Sequence, residues 1–169
     1  MDEALAALAR QGADSFGYRA ELRIDRTLAQ LLRLRVAQIN GCGYCLELHD
    51  RVARAAGIPD PVVATLAAWW QSDIHDAPAR AALDYAEALT RLADPTVARH
   101  VVDRQRALAR HFTPQEATEI VGVVINMNIW TRLKVAEAAA LRLTEEAGGA
   151  NGRQRRPRPA QPHMNGDMP

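Results

Sequence analysis

Long apolar runs and a marked excess of either charge are missing from this chain of 169 residues, aromatic side chains are scarce, and there are only two cysteines. No apolar stretch approaches the roughly 20 residues needed to cross a bilayer. Residues 1–10 hold acids and no long apolar core, which argues against a secretory signal. A formal net charge of +1 gives no electrostatic reason to expect a nucleic-acid or acidic-membrane partner. Two cysteines this close cannot staple a fold, and without an export signal the expected compartment is a reducing cytoplasm. There a Cys-X-X-Cys pair is more often catalytic or metal-binding than structural. Aromatics at 5 %, abundant alanine and 48 % apolar residues point to closely packed helices in one domain.

Strand signals are equally scarce, whereas helix punctuation is frequent. Leu28, Leu31, Leu32, Val36 and Ile39 recur at helical spacing over 26–39, and Asn40-Gly41 ends the pattern. A new helix is predicted from about Cys42 to Ala56, stopped by Gly57 and Pro59, and a short one over 61–70. Asp76 with Pro78 opens a helix to about Leu92, and Asp94-Pro95 another extending to Phe112. Thr113-Pro114-Gln115-Glu116 is a capping box with proline at the first helical position. From it an unbroken pattern runs to about Glu146. The resulting expectation is a single all-α domain of six or seven helices over 1–147, followed by a disordered tail over 148–169. That tail carries four prolines and four arginines (Arg153, Arg155, Arg156, Arg158), enough for weak nonspecific contacts at most.

Both cysteines fall in Cys42-Gly43-Tyr44-Cys45-Leu46-Glu47-Leu48-His49. Two intervening residues bring thiols within bonding range, and positions i and i+4 of a helix share a face, which sets His49 beside Cys45. A helix N-terminus adds partial positive charge that favours a thiolate. Three readings are open. In a thiol–disulfide centre, Cys45 attacks with His49 as the nearby base and Cys42, beside the turn at Gly41, closes the disulfide. A structural zinc site would need a fourth ligand that no second Cys or His pair supplies, His75, His100 and His111 being scattered. In the third reading both cysteines are small buried hydrophobes and His49 a satisfied polar neighbour.

The stretch from Leu32 to His49, with Gln38-Ile39-Asn40-Gly41 before the cysteine motif, resembles the carboxymuconolactone decarboxylase superfamily, specifically its alkylhydroperoxidase D-like branch. Leu66–Trp69, Arg80–Thr90 and Asn128–Leu133 resemble later helices of that branch, and the likeness extends over roughly residues 15–145. The resemblance implies an all-α fold, helical homo-oligomers (dimers, trimers or hexamers) and no organic cofactor. It also implies a peroxidase or disulfide reductase in which the second cysteine, Cys45, is peroxidatic. The branch usually places a glutamate twelve residues before the first cysteine, relaying protons with the histidine; here that position is Gln30. An amide hydrogen-bonds but does not shuttle protons at neutral pH, so the thiolate depends on His49 or on a carboxylate such as Glu47 or Glu21. Slower or differently tuned peroxidase activity is expected. Thr131 is a milder departure, many relatives having asparagine there.

Other residues invite a structural role first. One of Trp69 and Trp70 belongs in the core and the other at a subunit interface. Asn126 and Asn128 need buried partners and either line the thiol pocket or tie helices together, the structural role being preferred. Arg33, Arg35 and Arg132 are solvated or salt-bridged by default, and Glu47 lies off the Cys45–His49 face. The expected function is a cytoplasmic, cofactor-independent thiol peroxidase with a small hydroperoxide as substrate and an unidentified thiol as reductant. The competing classes are a lactone-decarboxylating lyase, against which the cysteine pair argues, and a non-enzymatic redox sensor or scaffold, which Gln30 favours.

Overall fold

A computed structural model describes residues 3–149, with side chains through 145. The described residues form helices and connecting turns without strands: α1 (Glu3–Phe16), α2 (Arg26–Asn40), α3 (Gly43–Ala55), α4 (Asp60–Ala64), α5 (Ala77–Thr90), α6 (Pro95–Ala98), α7 (Val101–Leu108) and α8 (Pro114–Gly149), plus a 3-10 segment at Thr65–Gln71. The all-α class is as expected; the helix number is higher than the six or seven predicted.

The body extends as far as Glu137 and is built around α2. Asp25 starts this helix by accepting the backbone N–H groups of Thr27 at 2.8 Å and Leu28 at 3.1 Å. Gly41 ends it in the left-handed region (φ 64°), which suits glycine, with its N–H bound to α2 carbonyls. Every residue from Leu28 to Ala37 is buried, so α2 is enclosed all round and not amphipathic. α3 and α5 pack against it, and Leu32, Leu66, Leu83, Leu108, Ile120 and Met127 are among the fully buried side chains of the core. The capping box at the start of α8 forms as its spacing demands. The Thr113 N–H donates to Glu116 Oε2 at 2.8 Å, and the Glu116 N–H reaches Thr113 Oγ1 at 3.3 Å.

Three segments differ from the sequence reading. α1 has no counterpart in the sequence reading: it is amphipathic, yet the residues it buries are alanines, Ala6 and Ala9, while Leu5 and Leu8 stay about half exposed. It is held by close approach: a β-carbon added at Gly122 of α8 would lie 2.4 Å from the Phe16 ring. The helix expected over 61–70 is a single α-helical turn that tightens into 3-10 geometry, kinked at Ala68. The helix expected from Pro95 to Phe112 breaks at Arg99-His100. Arg104 donates to Asp84 of α5 at 2.8 Å and to the Val97 carbonyl at 3.2 Å, an oxygen an unbroken helix would have used internally.

From Ala138 the described chain is the remainder of α8, whose side chains through Glu145 are exposed, Leu141 and Leu143 among them. The tail expected over 148–169 lies outside the described residues, save its first two glycines, which end α8. No helix among the described residues is long and apolar enough to cross a membrane.

Candidate active site

The first turn of α3 creates the site. Cys42 is its N-cap residue, and the Cys42 sulfur accepts the backbone N–H of Cys45 at 3.4 Å. A sulfur in the place of the usual serine or aspartate oxygen thus satisfies one free donor of the helix end. The same turn carries Cys45 back over the cap, so the two Sγ atoms stand 2.7 Å apart, with both cysteines reduced and buried. A disulfide bond length is about 2.05 Å, which a small side-chain rotation reaches from here.

One face of α3 further on, His49 is buried under α2. Gln30, itself only 3 % exposed, donates through Nε2 to the His49 backbone carbonyl at 2.7 Å and stands 3.2 Å from His49 Nδ1. The Tyr18 ring meets the imidazole edge-on, with centroids 6.3 Å apart. Cys45 and His49 share the wall of a cavity of about 330 Å³. Tyr18, Tyr44, Leu48, Met127 and Trp130 give it a largely apolar lining, and Arg33, Asn126 and Lys134 supply its polar points. Cys42 does not line it. A larger cavity of about 550 Å³ runs along the other side of Gln30 and Arg33 but touches neither cysteine, so the chemistry belongs to the smaller one.

Burial dominates the electrostatics. The Cys45 thiol is pushed up to about 12, first by burial and then by its hydrogen bond and charge interaction with Cys42, while Lys134 pulls the other way. Burial also lowers Arg33 to about 10. Its Nη2 donates to the carbonyls of Phe16 and Gly17 at 2.9 and 2.8 Å, tying α1 to α2, while its Nε has no partner. Asn126 Oδ1 is likewise buried without a partner.

His49 is lowered to about 4 by burial and, secondarily, by the Arg33 charge. The unfolded chain takes up this proton near 6.5, whereas the folded chain refuses it until about 4. Its stabilising contribution is therefore complete above pH 6.5 and is lost as the pH falls toward 4, to an extent of about 3 kcal/mol. Urea midpoints measured from pH 7 to pH 4 are expected to fall less steeply for His49→Gln than for the parent chain. Parallel curves would show that His49 protonates freely in the fold.

The other residues singled out in the sequence separate cleanly. Glu47 is exposed, 4.0 Å from Arg51, and Glu21 is exposed as well. Trp69 is in the core and Trp70 is 48 % exposed. Asn128 ties helices together, accepting from Asn40 at 3.1 Å and reaching Thr90 at 3.4 Å. Thr131, fully buried, accepts a second proton of the Asn40 amide at 3.1 Å. Arg132 folds back onto the Asn128 carbonyl and side chain. Arg35 is buried against Glu87 at 2.6 Å rather than solvated. Among the described residues, no three His, Cys, Asp or Glu side chains converge to hold a metal ion.

Tyr18 and Lys134 were not singled out from the sequence, yet they bound the cavity. Lys134 did carry a signal: it is the sole lysine among 21 basic residues. Its ammonium pairs with Glu137 at 2.8 Å and lies 5.0 Å from the Tyr44 ring and 5.8 Å from the Trp130 ring. A compact cation on a flexible stem suits a place beside a developing thiolate better than a planar guanidinium.

An all-helical chain with this buried cysteine pair belongs to the carboxymuconolactone decarboxylase family, which residues 2–88 match. Within it the chain falls in the alkylhydroperoxidase D-like branch. It is 29 % identical to the uncharacterized protein YdfG of Bacillus subtilis over 70 % of this chain and 79 % of the relative. It is 32 % identical to the uncharacterized YnjA of Escherichia coli over 67 % of this chain, spanning 60 % of that relative's length. A shorter match, 42 residues at 40 % identity, is to the alkyl hydroperoxide reductase AhpD of Bradyrhizobium diazoefficiens and covers 25 % of this chain and 23 % of that protein. Among solved structures, a protein of unknown function from Agrobacterium tumefaciens, named for AhpD and antioxidant defence, superposes with a TM-score of 0.66 at 25 % identity, over 79 % of this chain and 85 % of that one. An uncharacterized peroxidase-related protein from Silicibacter shares the fold with a TM-score of 0.65 at 23 % identity, over 78 % of this chain and 67 % of that one.

Proposed function

We propose that this protein is a thiol-dependent oxidoreductase that reduces small hydroperoxides through the Cys42–Cys45 pair. The observation that carries the reading is a 2.7 Å sulfur–sulfur separation with one of the two sulfurs, that of Cys45, on a cavity wall. The name of the Bradyrhizobium relative supports the same chemistry.

In this reading the Cys45 thiolate attacks the terminal peroxide oxygen, the O–O bond breaks, and the alkoxide leaves and takes up a proton as the alcohol. Cys45 is left as a sulfenic acid. The Cys42 thiolate then attacks the Cys45 sulfur, hydroxide departs as water, and the disulfide forms. An external dithiol restores both thiols by exchange. The largely apolar wall suits a substrate with a hydrocarbon body, and Lys134 opposes the burial that holds Cys45 protonated. A homo-oligomer in the cytoplasm, without nucleic-acid, membrane or organic-cofactor partners, is part of the same proposal. Trp70, Leu92 and Ile125, about half exposed, are side chains that a second copy would cover.

Gln30, an amide in place of a proton-relaying carboxylate and 3.2 Å from His49 Nδ1, favours a second reading, a redox sensor that forms the disulfide without sustained turnover. One experiment addresses both. The reduced protein is mixed with tert-butyl hydroperoxide, and free thiols and intact mass are followed with and without a dithiol. Loss of both thiols with repeated turnover is the expected result. A single round of oxidation that no dithiol can renew favours the sensor. Retention of both thiols would overturn the redox reading.

A further inference from the structure

We propose that Gln30 is a positioning residue that fixes His49 as its Nε2–H tautomer, so that the ring meets the cysteine cavity with a hydrogen-bond donor and not with a base. The argument starts at the His49 carbonyl. A carbonyl oxygen only accepts, so the Gln30 atom 2.7 Å from it is the amide NH2 group. The opposite amide orientation would set two acceptor oxygens against each other. That same nitrogen stands 3.2 Å from Nδ1. An amide NH2 brings two protons and no basic lone pair, so Nδ1 has to accept the second proton. The proton of the uncharged ring then sits on Nε2, and the only lone pair of the imidazole is occupied.

No neighbour reverses this. Arg33 approaches from α2, Tyr18 from the segment after α1, Cys45 from the same helix, and Asn126 and Lys134 from α8 across the cavity. None is a carboxylate able to draw a proton onto Nδ1. Burial of both partners keeps water from exchanging the amide away. His49 therefore donates toward the anion that forms in the cavity, a thiolate or a departing alkoxide, while the Cys45 proton leaves to solvent.

The consequence for catalysis rests on the cysteine chemistry proposed above; the tautomer itself does not. Nitrogen-15 spectra of histidine-labelled protein, with the His49 signals assigned by its loss in His49→Gln, read the tautomer directly in the full chain. The expected spectrum shows a protonated Nε2 and an unprotonated Nδ1 without change from pH 5.5 to 8. A protonated Nδ1, or a rapid mixture of the two forms, would overturn the proposal even if peroxide consumes both thiols. Thiols that survive peroxide would remove the redox reading and leave this one standing.

Gln30→Glu provides the second arm. A carboxylate at this position accepts from Nδ1–H and frees Nε2 as a base. On a Cys42→Ser background, alkylation of Cys45 by iodoacetamide at pH 7 is expected to rise about tenfold or more, with a histidine inflection in its pH profile. With Gln30 in place the rate follows hydroxide, about tenfold per pH unit, without that inflection. Identical profiles for the two chains would show that Gln30 does not set the tautomer.

Discussion

Replacing Glu87 with alanine is expected to remove about 3–5 kcal/mol of folding stability, read as a large fall in the urea midpoint with an unchanged denaturant slope. One carboxylate oxygen of Glu87 carries three contacts. Arg35 approaches it through Nε at 2.7 Å and through its terminal nitrogen at 2.6 Å, and the Trp69 indole N–H donates to it at 2.6 Å. The ionic side chains are only 7 % and 15 % exposed. Removing the carboxylate leaves a guanidinium buried with Gln38 as its remaining polar partner at 3.0 Å, and the buried indole loses its acceptor. The penalty comes from these stranded groups more than from lost attraction, so Glu87→Gln, which keeps an acceptor oxygen, is expected to cost less. Since whole domains are stable by roughly 5–15 kcal/mol, alanine here threatens the fold. A loss below about 1 kcal/mol would mean that water reaches the pair as it does an exposed one.

The second large effect falls on the cysteines and separates their roles. Under the proposed chemistry, Cys45→Ser is expected to lower peroxide consumption by about a thousandfold or more, because the sulfur on the cavity wall is gone. Cys42→Ser is expected to keep the first step and lose the last. One equivalent of peroxide is consumed, a sulfenic acid accumulates at Cys45 and is captured by dimedone, and turnover stops. The opposite pattern, with dimedone adducts at Cys42 in Cys45→Ser, would reassign attack to the sulfur at the helix cap. Serine at position 42 is a good N-cap, so this variant tests chemistry with little disturbance of α3.

Local rules were legible in the sequence, and long-range ones were not. The Thr113–Glu116 box, the glycine stop after Asn40 and the helix beginning after Cys42 each depend on a few neighbouring residues, and each stands where its spacing placed it. The 45-49 spacing likewise put a sulfur and an imidazole on one cavity wall, with the Cys42 sulfur beside Cys45 at the helix cap. Arg35 is salt-bridged, one of the two states expected of it, but its partner Glu87 lies 52 residues away. Arg33 is neither solvated nor salt-bridged because it is buried on the Phe16 and Gly17 carbonyls 16–17 residues away. The helical spacing of α1 was there to read, but what it buries are alanines while its larger Leu5 and Leu8 stay about half exposed, so its packing was not legible. Gln30 was noticed only as the absence of a carboxylate. Its pairing with both the ring and the backbone of His49 depends on how α2 crosses α3, which no periodicity encodes.

The capping role of Cys42 would tie the proposed thiol chemistry to backbone order. Under the proposed chemistry, closing the disulfide would replace the Cys42 S–H by an S–S bond and turn the sulfur that accepts the Cys45 amide. Were the pair to oxidise as proposed, the opening turn of α3 would feel it, and the Cys45 amide is the place to observe that change by proton exchange with solvent.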